Sequence, residues 1–142
     1  MNRKNIFRIL AVLVTVFIFS NSLKTAEVSS QSSGVIVGII MRILDWFNYH
    51  IDPDVLQNIV RKAAHFLEFC LQGICLSGCF SRSFREKAVY VLLFGLLTAC
   101  TDEFLQLYFE GRGSQIQDVF LDFFGTSGGL VFSGIFEYIR RK

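Results

Sequence analysis

The chain has 142 residues, 52% of them hydrophobic and only 18% charged, with 16 Phe, one Pro and a mean hydropathy of +0.47. Soluble domains run about 45–50% apolar and about 25% charged, so the composition argues against a soluble domain and for a single-domain, all-α membrane protein. The net charge of +2 says little by itself, because the information lies in where the charges cluster; no nucleic-acid partner is expected.

A spanning helix needs about 20 mostly apolar residues. The first candidate covers 6–23, behind Arg3, Lys4 and Arg8. Its basic start and the small residues Ser20-Asn21-Ser22 also fit a secretory signal, but a retained anchor is favoured because the rest of the chain is equally membrane-like. Ser29-Ser30-Gln31-Ser32-Ser33-Gly34 then reads as a short flexible link. The segment 35–49 is apolar except for Arg42, Asp45 and Asn48, which share one helical face. It is short for a span, and Trp46, Phe47 and Tyr49 suit an interface, so we expect a helix lying on or dipping into the outer leaflet. A re-entrant segment or fifth span is the weaker reading.

Asp52-Pro53 predicts an N-cap followed by proline at the first helical position, with Ile51 and Leu56 as a hydrophobic staple. That helix projects from the membrane before spanning it over 63–80. Ser83-Phe84-Arg85-Glu86 and Ser114-Gln115-Ile116-Gln117 have capping-box spacing ahead of spans at 88–109 and 119–139. Short turns make the last three spans antiparallel neighbours. The cysteines Cys70, Cys75, Cys79 and Cys100 all sit in apolar runs, where they act as small apolar fillers.

Lys and Arg beside the spans set the orientation. With the N-terminus inside, the inner side holds Arg3, Lys4, Arg8, Arg82, Arg85, Lys87, Arg140, Arg141 and Lys142. The outer side holds Lys24, Arg42, Arg61, Lys62 and Arg112. Nine against five favours both termini in the cytoplasm.

The stretch Arg61-Lys62-Ala63-Ala64-His65-Phe66-Leu67-Glu68-Phe69 puts ionisable groups inside an apolar run, and so does Asp102-Glu103-Phe104-Leu105-Gln106. Intramembrane ionisable groups are costly, and are functional candidates for that reason. At 1.5 Å per residue, Glu68, Asp102, Glu103 and Asp122 all fall roughly 10 Å below the outer surface. His65, Gln106 and Asp118 form a shallower layer. Arg61, His65, Glu68 and Gln72 share one stripe. Gly125 and Gly129 continue the Asp118 face and allow close helix approach. Arg112, flanked by Gly111 and Gly113, would fold over the mouth. The expectation is an outward-facing polar pocket among the last three spans, lined by Arg61, Lys62, His65, Glu68, Asp102, Glu103, Gln106, Arg112, Asp118 and Asp122. A buried ion-pair clamp holding the helices together is the competing explanation.

These residues, in this order and spacing, resemble the VanZ-like family of small bacterial membrane proteins. The resemblance rests on Arg61 to Phe69, Asp102 to Gln106, Gly111-Arg112, Asp118, Asp122 and Gly125, and covers about 60–130. It implies a bacterial inner membrane and a link to the cell envelope or to resistance against lipoglycopeptides of the teicoplanin type, and supplies no reaction.

The leading function is therefore binding at the outer leaflet, of a lipid headgroup, a cell-wall precursor or a lipoglycopeptide, with the start of the last helix beside Arg112 favouring an anion. The alternative is an intramembrane enzyme acting on an envelope lipid, with His65 or a carboxyl as base. There a divalent cation on Glu68, Asp102, Glu103 and Asp122, joined by His65, would activate water. No nucleophile elbow, P-loop or HExxH is present, and no cofactor is firmly indicated. Four short spans without a repeat argue against a transporter as a monomer, and the oligomeric state is left open.

Overall fold

The computed structural model describes residues 2–80, 83–109, 112–140 and 142, without the side chains of Ala26 and Ser32. Arg82 and Arg141, counted above among the inner charges, lie outside the described residues, as do Glu110 and Gly111 of the last turn. Among the described residues the secondary structure is helical: α1 (Arg3–Ser22), α2 (Ala26–Trp46), α3 (Pro53–Gly78), α4 (Phe84–Gln106) and α5 (Ile116–Arg140).

Local chemistry explains most of the boundaries. The Asn2 side chain accepts from the Lys4 N–H and starts α1. Asp52 accepts from the Asp54 N–H at 2.8 Å with Pro53 opening α3, and Ile51 packs against the Leu56 cluster. Ser83 caps α4, and its hydroxyl also donates to the Glu86 carboxylate at 2.9 Å.

Two expectations are corrected. The serine-rich segment 29–34 is not a flexible link but lies within α2, which begins at Ala26 rather than near residue 35. Thr25 caps it, and the Ser33 hydroxyl donates to the Ser29 carbonyl one turn back. That bond keeps a poor helix former inside the helix. The helix stops at Trp46, and Asn48 turns the chain with a φ of 55°, a conformation asparagine tolerates better than most residues. The cap expected at Ser114 is also displaced. The carbonyl of Gln115 accepts the first helical bonds from Asp118 and Val119, so α5 starts one residue later, for a reason found at the site.

Three helices, α1, α4 and α5, are long and apolar enough to cross a membrane. Helix α3 does not join them on composition, because it ends at Gly78 and its last 18 residues carry Arg61, Lys62 and Glu68. The packing is that of a bundle whose outside is more apolar than its inside. Val12, Val89 and Phe132 point outward, each at least 60% exposed, while Gln72, Lys87, Asp102 and Asp122 are at most 1% exposed. Such an inverted pattern requires an apolar surrounding, where exposed leucine or valine costs nothing and polar groups must find one another.

Three contacts hold the helices in place. Ile18 of α1, Phe69 of α3 and Ala99 of α4 form one fully buried cluster. Beside it Gln72 reaches across three helices, donating to the hydroxyls of Thr15 at 2.9 Å and Thr98 at 3.2 Å. Val37 of α2 packs on Leu56 and Val60 of α3, which lays α2 along the end of α3 that precedes Arg61. The tightest seam is α3 against α5. A Cβ on Gly129 would stand 2.0 Å from the Cys70 carbonyl oxygen, one on Gly125 would stand 2.5 Å from that of Phe66, and one on Gly73 would stand 2.3 Å from that of Thr126. Backbone touches backbone along this seam, as small residues permit in membrane bundles. It aligns the Lys62–His65 turn with Asp118 and Asp122.

Candidate functional site

At the end of the bundle away from the chain termini, α3, α4, α5 and the α4–α5 loop enclose a cavity of about 140 Å³. Its walls are Arg61, Lys62 and His65 from α3, Glu103 and Gln106 from α4, Arg112, Gly113 and Gln115 from the loop, and Asp118, Leu121 and Asp122 from α5.

The acids are held by specific donors. The Lys62 ammonium pairs with the Asp118 carboxylate. Gln106, one turn beyond Asp102, donates to Asp102 Oδ2 at 3.0 Å and to Glu103 Oε1 at 3.2 Å. The other oxygen of Glu103 accepts the Gln115 N–H at 2.9 Å. A carboxylate from α4 therefore satisfies a free amide at the start of α5. This is why Gln115, not Ser114, ends up at the cap position. It also corrects the expectation that this helix start is free to capture an external anion, because Glu103 already occupies it.

Two expected wall residues stand elsewhere. Asp102 is fully buried behind the wall, where Ser22 of α1 donates to its Oδ1 and His65 Nδ1 lies 3.9 Å from its Oδ2. Glu68 turns toward α1 instead, accepting from Asn21 Nδ2 at 2.8 Å, and Lys24 in turn donates to Asn21 Oδ1 at 2.8 Å. The stripe on α3 thus serves several neighbours: His65 faces α4 and α5, Glu68 faces α1, and Gln72 bridges α1 and α4. Helix α1 was absent from the expected pocket. Its contribution comes from Asn21, Ser22 and Lys24, polar residues ending an apolar run. The positions were visible, but their partners were not, since a short polar end also fits a cleavage site. Gly113, Gln115 and Leu121 were likewise not anticipated.

Among the described residues, several buried atoms near the cavity have no hydrogen-bond partner: His65 Nδ1, Asp122 Oδ1, Glu68 Oε2, and Nε and Nη1 of Arg112. Burial first, then the charge of Arg61, lowers the Arg112 pKa from its ordinary value. A guanidinium in this position gains from any anion that replaces the water it has lost.

The family model for VanZ/LLP1 matches residues 7–137, from the first helix to the last. The chain belongs to the VanZ/LLP1 family. No curated protein and no solved structure matches it. For this VanZ-family chain the match takes in α1 and α2 as well as the stretch from Arg61 to Gly125. The helix that supplies Asn21 and Ser22 is therefore part of the family's unit.

Proposed function

We propose that this VanZ-family protein is a multi-pass protein of the bacterial inner membrane that binds the anionic head of a lipid-tailed molecule at its outer face. The ligand class takes in phospholipid headgroups, lipid-linked wall precursors and lipoglycopeptides of the teicoplanin type, and envelope protection or antibiotic resistance is the consequence. In this reading α1, α3, α4 and α5 cross the membrane with both termini in the cytoplasm, and α2 lies along the outer leaflet. Val35, Ile39 and Ile43 of α2 are more than half exposed, which suits that placement.

The observation that carries the proposal is Arg112. It lines the cavity with Nε and Nη1 buried and, among the described residues, unpartnered, while Lys62 pairs with Asp118 and the Gln115 N–H with Glu103. The alternative, an intramembrane enzyme acting on an envelope lipid, draws on His65 beside Asp102, a base next to a group that would orient it.

The test is native mass spectrometry of the full-length protein in lipid nanodiscs, offered phosphatidylglycerol, a lipid-linked wall precursor or teicoplanin. A charge-assisted hydrogen bond contributes about 1.5–3 kcal/mol, so Arg112→Gln should weaken the adduct by roughly 10- to 100-fold. Asp122→Asn, at a residue that lines the cavity, should retain membrane abundance yet lose growth protection. Failure of all three ligands to bind, or unchanged binding by Arg112→Gln, refutes the proposal.

A further inference from the structure

Beneath the cationic rim, three side chains from three different helices converge. His65 of α3, Asp102 of α4 and Asp122 of α5 each bring one ligand atom, and these atoms all lie within 4.8 Å of one another. His65 Nδ1 is 3.9 Å from Asp102 Oδ2. Asp122 is 1% exposed, lines the cavity, and leaves Oδ1 without a hydrogen-bond partner. His65 Nδ1 is likewise buried and unpartnered. A buried carboxylate oxygen with no donor is expensive, and here it shares a small space with an imidazole nitrogen and a second carboxylate.

The geometry points to a divalent cation site formed by His65, Asp102 and Asp122. Metal–nitrogen and metal–oxygen bonds of about 2.0–2.2 Å place neighbouring tetrahedral ligands roughly 3.4 Å apart. Closing a spacing of up to 4.8 Å to that value takes about 1.4 Å, shared between two rotating side chains. The donor set also selects the ion. One imidazole with two carboxylates suits Zn²⁺ or Mn²⁺ better than Mg²⁺, which prefers oxygen ligands and retains its waters.

The outer support is in place as well. Ser22 and Gln106 both donate to Asp102, the kind of arrangement that orients a ligating carboxylate. An ion there neutralises the two carboxylates, a pairing the membrane interior otherwise makes costly. Two of the three ligands, His65 and Asp122, line the same cavity as Arg112. The site does not depend on the anion-binding proposal, since metal uptake is read with no lipid ligand added.

The experiment uses the full-length protein in nanodiscs, stripped with EDTA. Zn²⁺, Mn²⁺ and Mg²⁺ are titrated by calorimetry, with metal content and melting temperature measured alongside. We expect one Zn²⁺ or Mn²⁺ per chain, a raised melting temperature, and much weaker uptake of Mg²⁺. His65→Gln and Asp122→Asn should abolish stoichiometric uptake. Ser22→Ala keeps all three ligands and removes one support of Asp102, so it should weaken affinity by about 10- to 100-fold. Asp45→Asn alters the exposed Asp45–His50 pair, the other histidine–acid contact among the described residues, and should change nothing. Absence of saturable uptake by the wild type overturns the proposal. So does wild-type affinity in both His65→Gln and Asp122→Asn, or in Ser22→Ala.

Discussion

Replacing Gly129 by alanine tests whether the α3–α5 seam positions the site. The new methyl would sit 2.0 Å from the Cys70 carbonyl oxygen, 2.9 Å from its carbon and 3.0 Å from the Ile74 nitrogen. All three are backbone atoms of one helix, so no side chain can swing away. Ordinary contact begins at 3.4 Å, so going from 2.0 to 3.4 Å requires the helices to part by about 1.4 Å in a close-packed interior. Overpacking of this kind costs about 1–3 kcal/mol, and alanine returns up to about 1 kcal/mol of helix propensity over glycine. A net loss of about 1–2 kcal/mol is expected. Gly128 is the internal control: a Cβ there meets only the Phe66 ring, at 3.9 Å, so Gly128→Ala should be neutral or slightly stabilising. The assay is unfolding in mixed micelles by titration with a denaturing detergent, followed by circular dichroism. Equal stability of Gly129→Ala and Gly128→Ala would refute the close-packed seam and the alignment of Lys62 and His65 with α5 derived from it.

The Lys87 ammonium, 1% exposed, contacts both oxygens of Glu137 at 2.7 Å. Glu137→Gln leaves a buried charge without its counter-ion and should cost about 2 kcal/mol, below the usual 3–5 because Glu137 is one-third exposed. Lys87→Met removes the buried charge and leaves unpaired only the Glu137 carboxylate, which is one-third exposed, so it should cost less than Glu137→Gln; equal losses in the two variants would contradict it. For orientation, single cysteines are placed in a chain whose Cys70, Cys75, Cys79 and Cys100 are changed to alanine. Cysteine at Lys24 or Gly113 should react with an impermeant thiol reagent in intact cells, and cysteine at Arg85 should not. Labelling at Arg85 alone would invert the proposed topology.

What the sequence determined by itself is what depends on neighbours along the chain. Asp52-Pro53 and Ser83 with Glu86 marked helix starts because caps are made within a few residues. The apolar runs and the polar interruptions at His65, Asp102 and Asp122 identified a membrane-like helical chain with costly groups inside it. Tertiary structure decided which of those groups share a space. Helical spacing put Arg61, His65, Glu68 and Gln72 on one stripe, yet a stripe is wide enough to face two neighbours. The packing of α1 through Ile18 drew Glu68 to Asn21 and Gln72 to Thr15. Glu103 could not be assigned to the start of α5, nor Ser22 to Asp102, because those partners are brought together only when the helices pack. Serine is a weak helix former whose effect depends on what its hydroxyl bonds to. The 29–34 segment therefore looked like a link until Thr25 and the Ser33–Ser29 bond showed it to be helix.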